Sequence, residues 1–210
     1  MATVAVLGSG TVGQTLAVGF KRHGHTVVIA SREGNKLGAW SAAEGIAERP
    51  FAAALEGADI AVLAVQGGVA EALVKQLAAG LEGKVVLDAT NPISGAPDKG
   101  ILPFFTSLSG SLMEQLQRAA PGARFVKCFS CVGAAKMVNP DFGGTRPTMF
   151  IAGDDAGAKA TTVALLDAFG WDAEDLGGVE GARAIEPLCI TWCAPGFLRN
   201  SWGHAFKVLR

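Results

Sequence analysis

Short apolar runs rich in Val, Ile and Leu alternate along the chain with longer Ala-rich stretches whose apolar residues recur at helical spacing. The runs Val4–Leu7, Val27–Ala30, Ile60–Val65, Val85–Leu87 and Phe125–Cys128 read as buried strands. Val12–Arg22, Val69–Ala79 and Ser111–Ala119 read as the helices between them. Strands that are apolar throughout, each followed by a helix, predict an α/β fold with a parallel sheet covered on both faces. The glycine-rich stretch after Arg32 carries too weak a period to assign, and so does the third strand.

Between Asn91 and Gly110 the sequence NPISGAPDKGILPFFTSLSG holds three prolines and no clear period. A loop there follows the fifth strand, where open α/β sheets place their ligand crevice, and loops of that length commonly serve as lids or walls. Its apolar segment Ile101–Phe105 suits the wall of a second-substrate pocket. Beyond NPDFGGTRP come a strand at Thr148–Ala152, a helix at Ala156–Phe169, an extended piece at Trp171–Leu176 and a final helical stretch, Gly181–Leu209. The expected organisation is a main domain over residues 1–145, and a small C-terminal α/β extension over 146–210 that completes the pocket and supplies a dimer interface.

Composition narrows the class of ligand. Charged residues make up 18% of the 210 residues, hydrophobic ones 50%, and the formal net charge is −1. No basic surface for nucleic acid or an anionic membrane is implied, so the partner should be a small molecule. No apolar run reaches the ~18 residues of a membrane span. The opening MATVAVLGSG leads straight into a strand without a basic signal-peptide region, which makes a cytoplasmic protein the expectation. The four cysteines are expected to be thiols, since a core of this size needs no disulfides.

The turn after the first strand carries the chemistry. Gly8, Gly10 and Gly13 form G-x-G-x-x-G between a strand and a helix. The first glycine allows the tight turn, the second admits a pyrophosphate to the backbone, and the third lets helix pack on strand. Phosphates would sit on the helix N-terminus, where free N–H groups and the positive dipole end converge. The fold class is thus a Rossmann-type doubly wound sheet. At the end of the second strand an acidic residue would bind a ribose 2′-OH and repel a 2′-phosphate. Ser31 and Arg32 stand there instead, with Lys36 nearby, and favour NADP(H); Glu33 argues mildly the other way.

The segments VAVLGSGTVGQTLAVGFKRHGHTVVIASR, ADIAVLAV, VVLDATNP, FVKCFSCVGAAKMVNP and GARAIEPL together resemble the family of coenzyme F420-dependent NADP oxidoreductases, over nearly the whole chain. The resemblance implies NADP(H) as cofactor, hydride transfer to a deazaflavin (coenzyme F420) or flavin-like acceptor, and a homodimer. A ferric-reductase branch shares the nucleotide domain. Carried over by position, Gly8, Ser9, Gly10, Thr11, Val12, Gly13, Ser31, Arg32 and Lys36 would hold the nucleotide. Ala64, Val65 and Gln66 would line it, Asn91-Pro92 would shape the pocket near the nicotinamide, and Gly133-Ala134 would offer backbone groups to the carboxamide. Where relatives commonly read Phe-Asn-Thr, this chain has Phe129-Ser130-Cys131, a change of polarity beside the expected hydride site that leaves the acceptor open.

Because the cofactor carries hydride chemistry, no acid–base pair is required and no metal is expected. His23, His25 and His204 read as structural, with His204 in the final helix. Cys128 and Cys131 sit on a strand and its exit, where an extended chain would turn them to opposite sides, unlike a thioredoxin-type motif. Cys189 and Cys193 fall at helical spacing and suit a packed face. A non-catalytic NADPH-binding sensor is the reading from a different class, against which the loop after Asn91 argues.

Overall fold

A computed structural model describes all residues, 1–210. Six parallel strands form one sheet: β1 (Thr3–Leu7), β2 (Thr26–Ser31), β3 (Ala47–Pro50), β4 (Ile60–Leu63), β5 (Val85–Asp88) and β6 (Arg124–Lys127), in the spatial order β3-β2-β1-β4-β5-β6. That is the Rossmann order, with its switch point between β1 and β4. The helices between them are α1 (Thr11–Arg22), α2 (Gly38–Glu44), the single turn α3 (Phe51–Ala54), α4 (Gly67–Leu81) and α5 (Leu112–Ala119). Every residue of β4 and β5 is buried, which is why these strands show no polar alternation. α1 turns Leu16, Ala17 and Phe20 onto one face of the sheet, and α4 turns Ala70, Val74, Leu77 and Leu81 onto the other.

A second, two-stranded parallel sheet pairs β7 (Thr148–Ile151) with β8 (Asp172–Asp175) across α6 (Ala156–Ala168), and α7 (Ala182–Arg199) follows as the last helix. Met149, Ile151, Leu166 and Trp171 belong to the same buried cluster as Val4 and Leu16, so the core is continuous across residue 146. No helix is long and apolar enough to cross a membrane.

Several boundaries differ from the sequence reading. β4 stops at Leu63, because Ala64 and Val65 leave the ladder at the switch point to turn into α4. β6 stops at Lys127, because Phe129 takes a left-handed conformation (φ 62°) and folds the chain back. Cys128 and Cys131 therefore lie in one buried cluster rather than on opposite faces. The last helix ends at Arg199, where Asn200 caps it in the left-handed region (φ 54°). Residues 201–210 are not helical: Thr148 donates its N–H to the Phe206 carbonyl and Val208 to Thr148 Oγ1, laying the tail along β7. His204 sits in this tail, its ring stacked on Trp192.

The proline-containing loop is also ordered. Ser94 bonds to Pro103 and Phe105 to Pro92, and Asp98 and Ile101 exchange both backbone bonds around Lys99 (φ 48°) and Gly100 (φ 84°). Two central residues with positive φ make the type I′ turn of a tight hairpin. Its tip rests on α7, since a Cβ at Gly100 would lie 2.7 Å from the Leu198 side chain.

Candidate functional site

The glycine turn closes onto the switch point of the sheet. Gly8 has φ 139°, and a Cβ there would lie 2.2 Å from the Ala64 carbonyl oxygen, so no other residue fits. Gly13, buried in the first turn of α1, lets the helix rest on the Gly8 carbonyl; a Cβ would meet that oxygen at 2.0 Å. Gly10 is the opposite case: a Cβ would meet nothing within 4 Å. It caps α1 with no side-chain hydrogen bond, and the first turn holds no acidic residue. The helix thus presents its N-terminal N–H groups, those of Thr11 and Val12 among them, to open space suited to an anion.

The end of β2 is held by a residue that sequence reasoning missed. Glu48, on the edge strand β3, accepts the Ser31 hydroxyl at 2.5 Å and the backbone N–H groups of Lys36 (2.9 Å) and Leu37 (2.7 Å). Burial pushes the Glu48 carboxyl up, but these bonds outweigh it and hold its pKa below the ordinary value. Ser31 Oγ in turn accepts from Gly34 N at 3.1 Å. Its only proton is given to Glu48, so the expected donation from Ser31 to a phosphate would require breaking that bond. Arg32 and Lys36 remain exposed cations at the same place.

Gly8, Ser9, Gly10, Ser31, Arg32, Lys36, Ala64, Val65 and Gln66 line one cleft of about 820 Å³. That volume falls in the range of small-molecule and cofactor sites. Its apolar wall was not foreseen: Phe51, Val69 and Leu73 face it. The signal was present in α4, where Val69, Ala72 and Leu73 form a second apolar stripe beside the core stripe Ala70–Val74–Leu77.

Asn91, Pro92, Gly133 and Ala134 do not line this cleft; Asn91 stands on its rim, beside the start of α4, and Pro92 is buried. A Cβ on Gly67, the first residue of α4, would lie 2.0 Å from the Asn91 carbonyl, which places Asn91 beside the start of that helix. Asn91 Nδ2 donates to the Ser130 carbonyl at 2.7 Å, joining the loops after β5 and β6. Asn91 Oδ1 and Ser130 Oγ are buried with no protein partner. Gly133 lies against Trp192 of α7, and Ala134 opens a short 3-10 turn, Ala134–Lys136, next to the first turns of α1. Beyond it, Phe104 of the hairpin and Ile190 of α7 border a cavity of about 180 Å³.

Under this rim lies a buried charge cluster that the sequence did not reveal. Lys127 Nζ is 2.7 Å from Asp88 Oδ2, 3.0 Å from Glu186 Oε1 and 2.8 Å from the Thr90 carbonyl. Glu186 also accepts the Leu112 and Met113 N–H groups, which open α5, and Asp88 accepts both Thr90 N–H and Oγ1–H. Burial pulls the Lys127 pKa down, but the two carboxylates outweigh it and raise the value above normal. The lysine thereby fixes Thr90, and with it Asn91-Pro92, against α7. Near it, burial pushes the Cys128 thiol well above its ordinary pKa and the Cys131 thiol to about 11, so both stay protonated.

Residues 3–92 match the family model described as NADP oxidoreductase, coenzyme F420-dependent. An F420-dependent NADP reductase of Methanothermobacter marburgensis is 31% identical over 94% of this chain and 95% of its own. The chain belongs to the coenzyme F420-dependent NADP oxidoreductase family. A crystal structure of a candidate F420-dependent NADP-reductase from Arthrobacter sp. FB24 superposes on this family member with a TM-score of 0.93, at 32% identity, over all of both chains. The metalloreductase STEAP3 of Rattus norvegicus is 27% identical over 93% of the chain but only 38% of its own length. As a member of the family, the protein is an NADP-dependent oxidoreductase, and the Rossmann fold expected from sequence is the one observed.

Proposed function

We propose that this oxidoreductase passes hydride between NADP(H) and a deazaflavin, coenzyme F420 or a close flavin-like ring. The observation that carries the nucleotide half is the cleft itself. It runs from the uncapped start of α1 to Arg32 and Lys36, with open space at Gly10 where a pyrophosphate would lie. The Gly8–Gly13 turn, including Ser9, Thr11 and Val12, would hold the pyrophosphate. Arg32 and Lys36 would pair with the 2′-phosphate. Val69 and Leu73 would cover the adenine, and Ala64, Val65 and Gln66 would pass beneath the ribose. A bound nicotinamide supplies the hydride chemistry. The chain's own residues need only orient the two rings and exclude water.

On this reading residues 1–145 hold the nucleotide and 146–210 complete the pocket, with Asn91, Pro92, Gly133 and Ala134 at the nicotinamide end. The acceptor would enter beside the hairpin, where Phe104 is half-buried and Phe105 is 44% exposed. Exposed Ile101, Phe197, Leu198 and Trp202 at the hairpin tip and the end of α7 suit a homodimer contact, and a cytoplasmic setting fits such a reductase. A ferric chelate is the second acceptor class, favoured by the similarity to the rat metalloreductase.

The test is NADPH oxidation against a deazaflavin, FMN and a ferric chelate, with NADPH deuterated at the nicotinamide C4. Deuterium should appear in the reduced deazaflavin, and Phe105→Ala should raise the KM for that acceptor more than the KM for NADPH. Turnover of the chelate alone would transfer the assignment to the second class. Tight NADPH binding without reduction of any acceptor would favour a sensor.

A further inference from the structure

The thiols of α7 are set apart from the other two cysteines by access. Cys128 and Cys131 are buried just past β6 and Cys189 is buried within α7, whereas Cys193 is half-exposed. Cys189 Sγ and Cys193 Sγ lie 4.0 Å apart. One turn of α-helix places their Cα atoms about 6 Å apart, within the span a disulfide can bridge. Closure requires the sulfurs to approach to about 2.05 Å, and so the turn must give.

The helix is built to give there. Pro187 and Pro195 stand on either side of the pair. Each lacks the N–H that would bond four residues back, leaving the Arg183 and Thr191 carbonyls without their helical donors. Neither missing bond is the one from the Cys193 N–H to the Cys189 carbonyl, but the one missing at Thr191 falls inside the pair and loosens the turn that Cys193 belongs to. The two sulfurs also differ in setting: Cys193 is the one that solvent reaches, and its hydrogen bond with Cys189 lowers its pKa against the effect of its partial burial. The same bond, together with burial, pushes Cys189 up.

We propose that Cys193 and Cys189 form a dithiol modification site for low-molecular-weight disulfides, with Cys193 as the attacking sulfur and Cys189 as the resolving one. The Cys193 thiolate attacks one sulfur of R–S–S–R, forming a mixed disulfide and releasing RS⁻. Cys189 then loses its proton and attacks the Cys193 sulfur, the mixed S–S bond breaks, and a second RS⁻ leaves. In total, two protein thiols lose two protons and two electrons, and one small disulfide is reduced to two thiols. The nucleotide site takes no part.

Trypsin makes the test direct. Cleavage after Arg183 and Arg199 releases Ala184–Arg199 with Cys189 and Cys193 together, and cleavage after Lys127 and Lys136 puts Cys128 and Cys131 in a different peptide. The folded chain is treated with oxidised glutathione, its remaining thiols are alkylated, and the digest is read by mass spectrometry. The expected result is a 184–199 peptide lighter by two hydrogens and resistant to alkylation, with Cys128 and Cys131 unmodified until the protein is denatured. Cys189→Ser should trap the glutathione adduct on Cys193, and Cys193→Ser should abolish the reaction. A stable adduct on the unaltered chain, modification of Cys128 or Cys131 first, or a link between the two peptides would each overturn the assignment. So would no reaction at all.

Discussion

Lys127→Met removes the only cation from a buried site that holds two carboxylates. The ammonium is 2.7 Å from Asp88 and 3.0 Å from Glu186, and the three side chains are at most 2% exposed. Removing one member of a buried ion cluster costs about 3–5 kcal/mol, because the charges left behind have neither water nor a partner. Domains are stable by only about 5–15 kcal/mol, so the loss is a large part of the total. With a urea slope of roughly 3 kcal/mol/M, the unfolding midpoint should fall by about 1–1.7 M at pH 7. The pH dependence gives the loss a signature. In the variant the two carboxylates repel each other in a dry site, which raises at least one folded-state pKa above its unfolded value of about 4. Below that value both states are protonated and the penalty is absent. It grows as pH rises and becomes constant above the raised folded pKa. The gap between parent and variant should therefore be narrow near pH 4 and widest at pH 7–8. Neutralising the stranded acids, in Lys127→Met/Asp88→Asn/Glu186→Gln, should recover much of the loss. A midpoint shift worth under ~1 kcal/mol at pH 7, or a gap that stays flat from pH 4 to 8, would refute the reasoning.

Arg32→Ala should weaken NADPH by about 1.5–3 kcal/mol and leave NADH almost unchanged, as read by parallel titrations; equal losses would mean that Arg32 does not meet the 2′-phosphate. Gly10→Val places a side chain in the open space at the start of α1, where the backbone (φ −80°, ψ −177°) accepts any residue. The far-UV circular dichroism should be retained while nucleotide binding collapses, and normal binding by the folded variant would move the phosphates elsewhere. Arg183 holds Glu114 through a bidentate pair, and that bond, aided by those from Ser111, lowers the Glu114 pKa from 4.5 to about 2 against its partial burial. A depressed carboxylate stabilises the fold above its unfolded pKa and loses that effect as pH falls through the folded one. The stability gap between the parent and Arg183→Ala should thus be constant above about pH 5 and shrink toward pH 2 in urea melts; a gap that widens in acid would contradict the pairing.

What the sequence disclosed was local. β1, β2, β4, β5 and β6 were legible because each is a short apolar run, and the glycine turn because its requirements are met within a few residues. What it concealed depends on partners far along the chain or on single backbone choices. Ser31 looked like a free donor because Glu48 arrives from another strand, and Lys127 looked like an ordinary strand residue because Glu186 comes from the last helix. The final helix was drawn too long because Trp202, Phe206 and Leu209 keep the tail apolar, and only the left-handed Asn200 stops it. Lys99-Gly100 did hold a hairpin signal, but the prolines around it masked the short strands on either side.

The tail along β7 bears on self-association. The second sheet has only two strands, and β7 would otherwise expose backbone donors and acceptors on its outer side. Phe206 accepts the Thr148 N–H and Val208 donates to Thr148 Oγ1, so the last residues of the chain act as a cover strip for that edge. Lys207 and Arg210 fasten the strip to Asp172 and Glu174 of β8. A chain ending at Arg199 would keep α7 and every residue that lines the cleft at the glycine turn, yet it would offer β7 as a template for a strand from another copy. Residues 206–210 thus shield the start of the β7 edge as well as pack against the second sheet.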